Sequence, residues 1–235
     1  MTYKLKSVLP NNSIGQKIKQ HTQTVYKEVY NADVNPNPDE FIYLEKEGEI
    51  YASFGITYRE SKKLFSECYL DTSLENIERT SSNIVTSEVG SFISVKNGFG
   101  LHLYKMLPYI LREKCSFHVL VTLTSKVQTL FNRLNFNTLY LNDAYENRVP
   151  VKNIWGSFYK SNPKTFIMDV QKSCSDCSLI DIASRLNIQI SEVGRILDKP
   201  NLFDMRAMNS FEGVDNFYPK ITPPRNQKII SEYIN

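Results

Sequence analysis

Glu88 is the residue whose setting in the sequence most strongly indicates chemistry. It lies in the middle of an otherwise apolar run, Ile84 to Val95, whose pattern predicts a strand. A buried carboxylate costs several kcal/mol unless it is paired or protonated, and burial raises its pKa. A carboxyl group with a raised pKa suits a general base that accepts a proton from an amine or a hydroxyl group. The alternative is a structural glutamate that is salt-bridged or faces water.

A glycine-containing turn, Lys96-Asn97-Gly98-Phe99-Gly100, follows this strand and precedes a long helix with an apolar face. Glycines let a ligand approach the backbone closely, and the first N–H groups of a helix attract phosphate, which together suit the pyrophosphate of coenzyme A. We expect N–H groups around Ser91 to Ser94 to polarise a thioester carbonyl. The alternative is a tight turn and helix cap without a ligand. The residues predicted to bind the donor are Ser91, Ile93, Gly98, Phe99, Gly100 and Leu101.

The other reactive residue types form no pattern that indicates a metal site or a hydrolase. His21, His102 and His118 are far apart and belong to different predicted elements. The one CxxC sequence, Cys174 to Cys177, lacks the second pair of ligands that a structural zinc site needs. No serine occupies a Gly-x-Ser-x-Gly sequence. We therefore expect no metal ion, no permanently bound cofactor and no serine hydrolase.

The elements that must position Glu88 and the glycine turn alternate between strand and helix. This β-α-β-α-β order predicts a sheet with parallel or mixed pairing and crossover helices. Pro108 lies within the longer helix and is expected to bend it. The predicted elements are strand Ile84 to Val95, helix Gly98 to Arg112, strand Phe117 to Leu123, helix Ser125 to Leu134 and strand Thr138 to Leu141.

The segments before and after this centre add further strands and helices. A first strand over residues 3 to 9 is followed by a helix that starts at Ser13. A hairpin is predicted from Phe41 to Glu45 and from Ile50 to Tyr58. The remaining predictions are an extended run over Lys63 to Tyr69, a short helix over Leu74 to Arg79 and a last extended run over Thr165 to Val170.

The C-terminal region from residue 172 has a different character. Leu179 to Ile188, followed by Ser191 to Leu197, resembles a helix-turn-helix with its turn at Asn187. Between Ser178 and Lys199, three basic and three acidic residues leave no net charge, which is a poor match to DNA phosphates. We therefore expect a small helical extension used for packing, dimerisation or covering the site, and not DNA binding.

Composition sets the class of protein. The 235 residues are 41% hydrophobic, which is enough for one large α/β domain, and a net charge of +3 forces no nucleic-acid or membrane partner. No signal sequence and no run of roughly 18 apolar residues is present. The four cysteines are too few and too scattered for a disulfide framework. We expect a cytoplasmic protein with reduced thiols.

Four further pieces of sequence stand out by their order and spacing. They are Tyr69-Leu70-Asp71 with Leu74-Glu75, Val85 to Phe92, Thr122 to Leu134, and Trp155-Gly156-Ser157-Phe158-Tyr159. In combination they resemble the thermostable hemolysin family over roughly residues 40 to 170. The resemblance implies a fold related to the GNAT acyltransferases and, more loosely, to the acyl-homoserine-lactone synthases.

Two departures from the GNAT pattern bear on the expected reaction. Val95 stands where the GNAT phosphate loop has Arg or Gln, which puts the standard binding of coenzyme A in doubt. Phe131 stands where a GNAT tyrosine often protonates the leaving thiolate, so Tyr140 or Tyr159 is expected to supply the phenol. Asn135 replaces a glycine, but asparagine tolerates the left-handed conformation that ends a helix.

The sequence thus predicts an α/β protein with a GNAT-like mixed sheet flanked by helices. The domain spans residues 1 to 171, and a helical extension spans residues 172 to 235. The expected reaction is acyl transfer from an acyl-CoA or acyl carrier protein to the amine or hydroxyl of a small molecule. The catalytic residues are predicted to be Glu88, Tyr140 and Tyr159, and the substrate-binding residues Tyr69, Asp71, Thr122 and Trp155. The alternatives are a non-catalytic ligand-binding protein and a membrane-active hemolysin; a homodimer is left open.

Overall fold

A computed structural model describes residues 2–81, 83–96 and 98–191. In this part of the chain, eight strands form one mixed sheet with the order β6-β7-β5-β4-β3-β2-β1-β8. The strands are β1 (Tyr3–Val8), β2 (Glu40–Lys46), β3 (Glu49–Tyr58), β4 (Val85–Ser94), β5 (His118–Leu123), β6 (Thr138–Asp143), β7 (Lys164–Asp169) and β8 (Ile188–Ile190). The parallel pairs are β4 with β5 and β1 with β8, and the other neighbours are antiparallel.

Six α-helices accompany the sheet in the described residues. They are α1 (Ser13–Tyr30), α2 (Leu74–Ser81), α3 (Phe99–Glu113), α4 (Ser125–Arg133), α5 (Val170–Ser173) and α6 (Leu179–Arg185). Asn12 caps α1, because its side chain accepts a hydrogen bond from the Ile14 N–H, and Asn31 ends that helix in the left-handed conformation. Pro108 lies inside α3, as the sequence predicts. None of the described helices is long and apolar enough to cross a membrane.

The two faces of the sheet are covered by different elements. Ile18 of α1 packs with Phe41 and Tyr43 on one face. The alternate β2 residues, Ile42 and Leu44, point to the other face and belong to the large core that α3 shares. Because neighbouring residues of a strand point to opposite faces, this alternation places α1 and α3 on opposite sides of the sheet.

The middle of the sheet opens where β4 leaves β5. Their parallel pairing runs from Val85 with His118 to Val89 with Val121 and goes no further. The other edge of β4 remains paired with β3 as far as Ser94, across a bulge in which Ser91 takes a left-handed conformation with φ of 53°. A bulge bends a strand and increases its twist, so β4 turns away from β5 while it stays attached to β3.

Two sequence predictions about individual elements were wrong. Residues 63 to 69 were expected to be extended, but Phe65–Tyr69 forms a 3₁₀ helix whose start is capped by Glu67, which accepts a hydrogen bond from the Leu64 N–H at 2.9 Å. The helix-turn-helix pattern is interrupted, because Ile188–Ile190 forms β8 beside β1 directly after α6. The second helix of that pattern, from Ser191 to Leu197, lies outside the described residues apart from Ser191.

The segment after residue 171 continues the sheet domain in the part that the structure describes. Leu179 and Ala183 of α6 are buried in the same core as α3, and β8 adds a strand to the sheet. A helical extension over residues 172 to 235 is therefore not separate from the sheet up to residue 191, and the rest of it lies outside the described residues.

Candidate functional site

Glu88 lies on β4 one residue before the opening, with its side chain enclosed by the 3₁₀ helix Phe65–Tyr69. Only 9% of the residue is exposed. The backbone N–H of Ser66 contacts both carboxylate oxygens, at 3.2 and 3.3 Å, and the Ser66 hydroxyl donates to one of them at 2.5 Å. The cost of burial is thus offset by hydrogen bonds from the backbone and the hydroxyl of Ser66, and no salt bridge to Glu88 forms within the described residues.

A row of hydroxyl groups extends from Ser66 across the sheet. Ser66 Oγ lies 2.7 Å from Thr122 Oγ1, which lies 3.0 Å from Thr165 Oγ1. Because the Ser66 proton is donated to Glu88, Thr122 must donate to Ser66, and Thr165 must donate to Thr122. With Glu88 ionised, all three hydroxyls point their protons towards the carboxylate, so the row forms a path for a proton.

The pKa of Glu88 is raised above its ordinary value of 4.5, chiefly by burial. Hydrogen bonds from the Ser66 hydroxyl, from the Ser66 N–H and from the Phe65 N–H act in the opposite direction, and the charge of Glu67 raises the pKa further. A carboxyl group in this balance can accept a proton nearer to neutral pH than an exposed one.

A cluster of aromatic residues lies on the same face as Glu88. The hydroxyl of Tyr69 lies 2.7 Å from that of Tyr159, and Trp155 packs against Phe65 and Tyr159. Burial raises the pKa of Tyr159 to about 12, so its phenol stays protonated. The buried Trp155 Nε1 has no hydrogen-bond partner in the described part of the chain, which leaves a donor that a ligand can use.

Cys68 is the other group near this carboxylate. Burial and the charge of Glu88 raise the pKa of its thiol to about 11, which keeps it protonated and a poor nucleophile. Sequence reasoning missed both Cys68 and Ser66. The one signal for Ser66 is its position two residues after Leu64, which is buried. In an extended segment this spacing puts both side chains on the same face, so Ser66 is expected to face inwards.

Aromatic rings lie beside the part of β4 that has left β5. Phe92, on the part of β4 beyond the bulge, stacks on Tyr104 of α3 with ring centroids 3.8 Å apart. Burial raises the pKa of Tyr104, and the nearby phenols of Tyr26 and Tyr30 on α1 raise it further.

The start of α3 carries most of the residues that the sequence predicts to bind the donor. Gly98 has φ of 86° and open space around its α-carbon, and the N–H of Gly100 donates to Ser94 Oγ at 3.0 Å. A Cβ atom at position 100 would lie 3.0 Å from the Cβ of Ser94, so glycine allows the helix to start this close to β4. Of the other predicted donor residues, Ile93 is buried, Leu101 is exposed, and Phe99 packs on Tyr3 and Tyr51.

The remaining predicted site residues divide into two groups. Thr122, Tyr69, Tyr159 and Trp155 lie on the face of the sheet that carries Glu88. Asp71 lies at the surface beyond Tyr69, where its carboxylate pairs with Arg148 and accepts a hydrogen bond from Asn142 at 2.5 Å. The hydrogen bonds from Arg148 and Asn142 lower the pKa of Asp71.

Tyr140 does not join the residues around Glu88. It pairs with Phe166, which pairs with Val121, whereas Glu88 pairs with Leu120. Val121 and Leu120 point to opposite faces, so Tyr140 lies on the face opposite to Glu88. Its hydroxyl donates to Asp143 at 3.1 Å, and half of the residue is exposed. The geometry does not support a shared role with Glu88.

The departure at Phe131 is visible in the structure. Phe131 is 2% exposed and packs edge-on against Tyr104 with ring centroids 5.9 Å apart. No phenol therefore projects from this position of α4, but Tyr104 places one beside it. Among the described residues, no group of three or more His, Cys, Asp or Glu side chains is arranged to hold a metal ion.

Comparisons with known proteins bear on the family and the fold of the chain. The family model described as thermostable hemolysin matches residues 10–174. No curated protein sequence matches the chain.

Solved structures with a similar fold include an acyl-homoserine lactone synthase and an N-acyl amino acid synthase. One is BjaI, a CoA-dependent acyl-homoserine lactone synthase, in its structure with SAM and isopentyl-CoA. It has 10% sequence identity to this chain and a TM-score of 0.51, and the match covers 84% of this chain and 95% of BjaI. The structure of the same synthase with MTA matches at 12% identity with a TM-score of 0.53, and the match covers 83% of this chain and 96% of the synthase. FeeM, an N-acyl amino acid synthase from uncultured soil microbes, matches at 12% identity with a TM-score of 0.50. The match covers 73% of this chain and 94% of FeeM. At these identities the likeness establishes the fold, so the predicted GNAT-like fold is confirmed.

Proposed function

This chain belongs to the thermostable hemolysin family, and from that premise we propose that it is an acyltransferase. It transfers an acyl group from a thioester, either acyl-CoA or an acyl carrier protein, to an amine or hydroxyl of a small molecule. The observation that carries the proposal is the opening between β4 and β5 directly beyond Val89, one residue after the buried carboxyl group of Glu88. An open strand pair offers unpaired backbone N–H groups, and Glu88 offers a base.

The donor is proposed to lie in this opening with its phosphates at the start of α3. The helix N-terminus and the open space at Gly98 suit an anion, and the bulge at Ser91 frees backbone N–H groups for the thioester carbonyl. The aromatic rings of Phe92 and Tyr104 supply an apolar wall for an acyl chain or for the pantetheine arm. Val95 contributes no charge, so the phosphates depend on backbone groups and on nearby lysines such as Lys96.

Direct attack by the acceptor is the mechanism that the arrangement of groups favours. The acceptor's lone pair attacks the carbonyl carbon, its proton passes to Glu88, and the C–S bond breaks to release the thiolate. Tyr159, which stays protonated because burial raises its pKa to about 12, is proposed to donate a hydrogen bond to the departing thiolate, and a proton from the acceptor completes the thiol. Thr122 and Ser66 orient the base, while Tyr69, Trp155 and Asp71 are proposed to contact the acceptor or the acyl group.

An assay of thiol release and product mass tests the proposal. The full chain is incubated with acyl-CoA of increasing chain length and a mixture of amines, and free coenzyme A and acylated amines are measured. We expect turnover that falls by about 10²-fold in Glu88→Gln, the low end of what a general base contributes. Glu28→Gln, an exposed change on α1, is the matched control and should be neutral. Equal turnover in Glu88→Gln and the wild type would refute the assignment of the base.

A non-catalytic ligand-binding protein is the second candidate. It is favoured by Phe131, which leaves α4 without a phenol, and by Val95, which leaves the phosphate loop without its usual cation. In that case acyl-CoA binds to the chain, but no coenzyme A is released with any acceptor.

A further inference from the structure

A polar cleft of about 580 Å³ lies on the outer side of the 3₁₀ helix Phe65–Tyr69. Its walls are Arg59, Lys63, Glu67 and the segment from Leu70 to Glu75. Five of these wall residues carry charge, in contrast to the aromatic rings beside the part of β4 that has left β5. The cleft is therefore suited to a small, charged molecule and not to an acyl chain.

Most of the charges in the cleft already have partners. Arg59 pairs with Glu75 at 2.7 Å and also with Glu78, and Asp71 pairs with Arg148. These ion pairs hold the end of β3, the start of α2 and the segment around Arg148 together, so they build the walls of the cleft. They leave little charge for a ligand.

Lys63 and Glu67 are the two charged wall residues without an ion pair in the part of the chain that the structure describes. Lys63 is exposed, and Glu67 is half-buried with one oxygen accepting from the Leu64 N–H at 2.9 Å. They do not form a salt bridge with each other. One cation and one anion in the same cleft, each free to bind, match a molecule that carries both a carboxylate and an ammonium group.

The 3₁₀ helix connects this cleft to the proposed base. Ser66 points inwards and donates to Glu88, and the next residue, Glu67, faces the cleft. The two carboxyl groups are close enough for the charge of Glu67 to contribute to the pKa of Glu88. A group bound at Glu67 thus contacts the same 3₁₀ helix that holds Glu88, one residue after Ser66.

We propose that this cleft binds the acyl acceptor and that the acceptor is an α-amino acid. Its ammonium group lies towards Glu67 and its carboxylate towards Lys63. This inference rests on the proposed acyltransferase function and specifies the acceptor. The ammonium loses two protons in the reaction: one passes to Glu88 and then to water, and the other ends on the coenzyme A thiol. The nitrogen's lone pair forms the amide bond as the C–S bond breaks.

Binding of amino acids without any donor tests the site separately from the reaction. The full chain is screened by thermal shift against a mixture of the standard amino acids, and the amino acid that stabilises it is then titrated by calorimetry. Its amide, which lacks the carboxylate, and its N-acetyl derivative, which lacks the ammonium, are the matched ligands. We expect each to bind about tenfold more weakly, the loss of one charge-assisted contact.

Two variants assign the charges to residues. Lys63→Gln should weaken binding of the amino acid about tenfold, so that the variant binds the amino acid and its amide with equal affinity. Glu67→Gln should likewise bind the amino acid and its N-acetyl derivative with equal affinity. Lys126→Gln and Glu113→Gln, exposed changes on α4 and α3, should bind as the wild type does. All four variants are checked for wild-type melting before titration.

The outcomes separate the site from the reaction. Binding that depends on both charges, without any acylated product, would keep the amino-acid site and refute the acyltransferase proposal. Acylation of an amine without a carboxylate, with the same KM in Lys63→Gln and Glu67→Gln, would keep the acyltransferase and overturn the amino-acid site. No stabilisation by any amino acid would also overturn the site.

Discussion

Glu88 is held between two opposing effects. Burial favours its neutral form, while the hydroxyl and N–H of Ser66 and the N–H of Phe65 favour its charged form. Burial prevails, and the pKa is raised. A residue that served only to hold β4 against the 3₁₀ helix would do so equally well as glutamine, because amides also accept hydrogen bonds. The titration of Glu88 therefore distinguishes a base from a structural group.

Glu88 should make the stability of the fold depend on pH. The pKa of Glu88 in the folded chain lies above its ordinary value of 4.5, so the folded state holds the proton more tightly than the unfolded state. Its stabilising contribution is complete below pH 4.5 and is lost as the pH rises through the folded-state pKa. We predict that the wild type loses free energy of unfolding relative to Glu88→Gln across this window. Denaturant titrations at a series of pH values measure it, and a constant difference would contradict the raised pKa.

Thr122→Val tests the row of hydroxyl groups. Valine keeps the shape of threonine but removes the group that donates to the Ser66 hydroxyl, which still donates to Glu88, and it removes the acceptor of the buried Thr165 hydroxyl. We predict a loss of about 1–3 kcal/mol in the free energy of unfolding. Since the Ser66 hydroxyl loses its support, the pH at which activity reaches half its maximum should also rise.

The matched change Thr129→Val, at an exposed position of α4, should alter the free energy of unfolding by no more than about 0.5 kcal/mol. If Thr122→Val changed stability but not the pH profile, the hydroxyl row would be structural.

At the scale of single residues, the sequence revealed some of the site and not the rest. Glu88 is identifiable from the sequence because a charged residue within an apolar run is unusual, wherever its contacts lie in the chain. Ser66 is not, because its importance depends on a contact with a strand 22 positions later in the chain. Tyr140 was assigned a catalytic role because the sequence does not show which face of the sheet a residue of β6 occupies.

At the scale of elements, backbone contacts between segments position the residues of the site, and the segment from Ile154 to Ser157 is the clearest case. It is attached to the end of α1, because the Ser157 N–H donates to the Tyr30 carbonyl at 2.7 Å and the Asp33 N–H donates to the Ile154 carbonyl at 2.6 Å. These bonds position Trp155 and the 3₁₀ helix Phe158–Ser161, which carries Tyr159. Gly156 lies at the centre of this contact.

Gly156→Ala should destabilise the chain more than Gly48→Ala. Both glycines have positive φ, 52° and 80°, so both substitutions carry the left-handed penalty of about 1 kcal/mol. A Cβ atom at position 156 would also lie 2.0 Å from the Tyr30 carbonyl oxygen, whereas none of the described atoms lies within 4 Å at position 48. We predict a total loss of about 3 kcal/mol or more for Gly156→Ala. Thermal denaturation measures both, and equal losses would mean that the segment is not packed against α1.

The element boundaries were largely predictable, and the exception has a physical cause. The strand and helix order from Val85 to Asp143 follows the sequence pattern because apolar periodicity is strong there. Residues 63 to 69 alternate buried Leu64 and Ser66 with exposed Lys63 and Phe65, which imitates a strand. The cap that Glu67 provides for the Leu64 N–H converts this segment into a 3₁₀ turn, and periodicity does not report such a cap.

At the scale of the whole molecule, α6 and β8 extend the sheet domain beyond residue 171. We predict that Leu179→Ala costs about 2–5 kcal/mol of unfolding free energy, because Leu179 is 4% exposed and lies in the core that includes α3. Ile180→Ala, at the next position but 68% exposed, should cost no more than about 0.5 kcal/mol. Similar small losses in both variants would indicate that α6 is an appendage and not part of the core.

Ligand-dependent stability of the full chain separates the candidate functions. A ligand present at about 100 times its dissociation constant adds about 2.7 kcal/mol to the free energy of unfolding. We predict this gain for an acyl-CoA, and a smaller one for a free fatty acid at the same concentration, because the fatty acid offers no phosphates to the start of α3 and so binds more weakly. Thermal shift measures both, with dye release from phospholipid vesicles as a parallel assay. Vesicle leakage without stabilisation by acyl-CoA would favour a membrane-active hemolysin, because a chain that lyses lipid directly has no need for a thioester in the opening between β4 and β5.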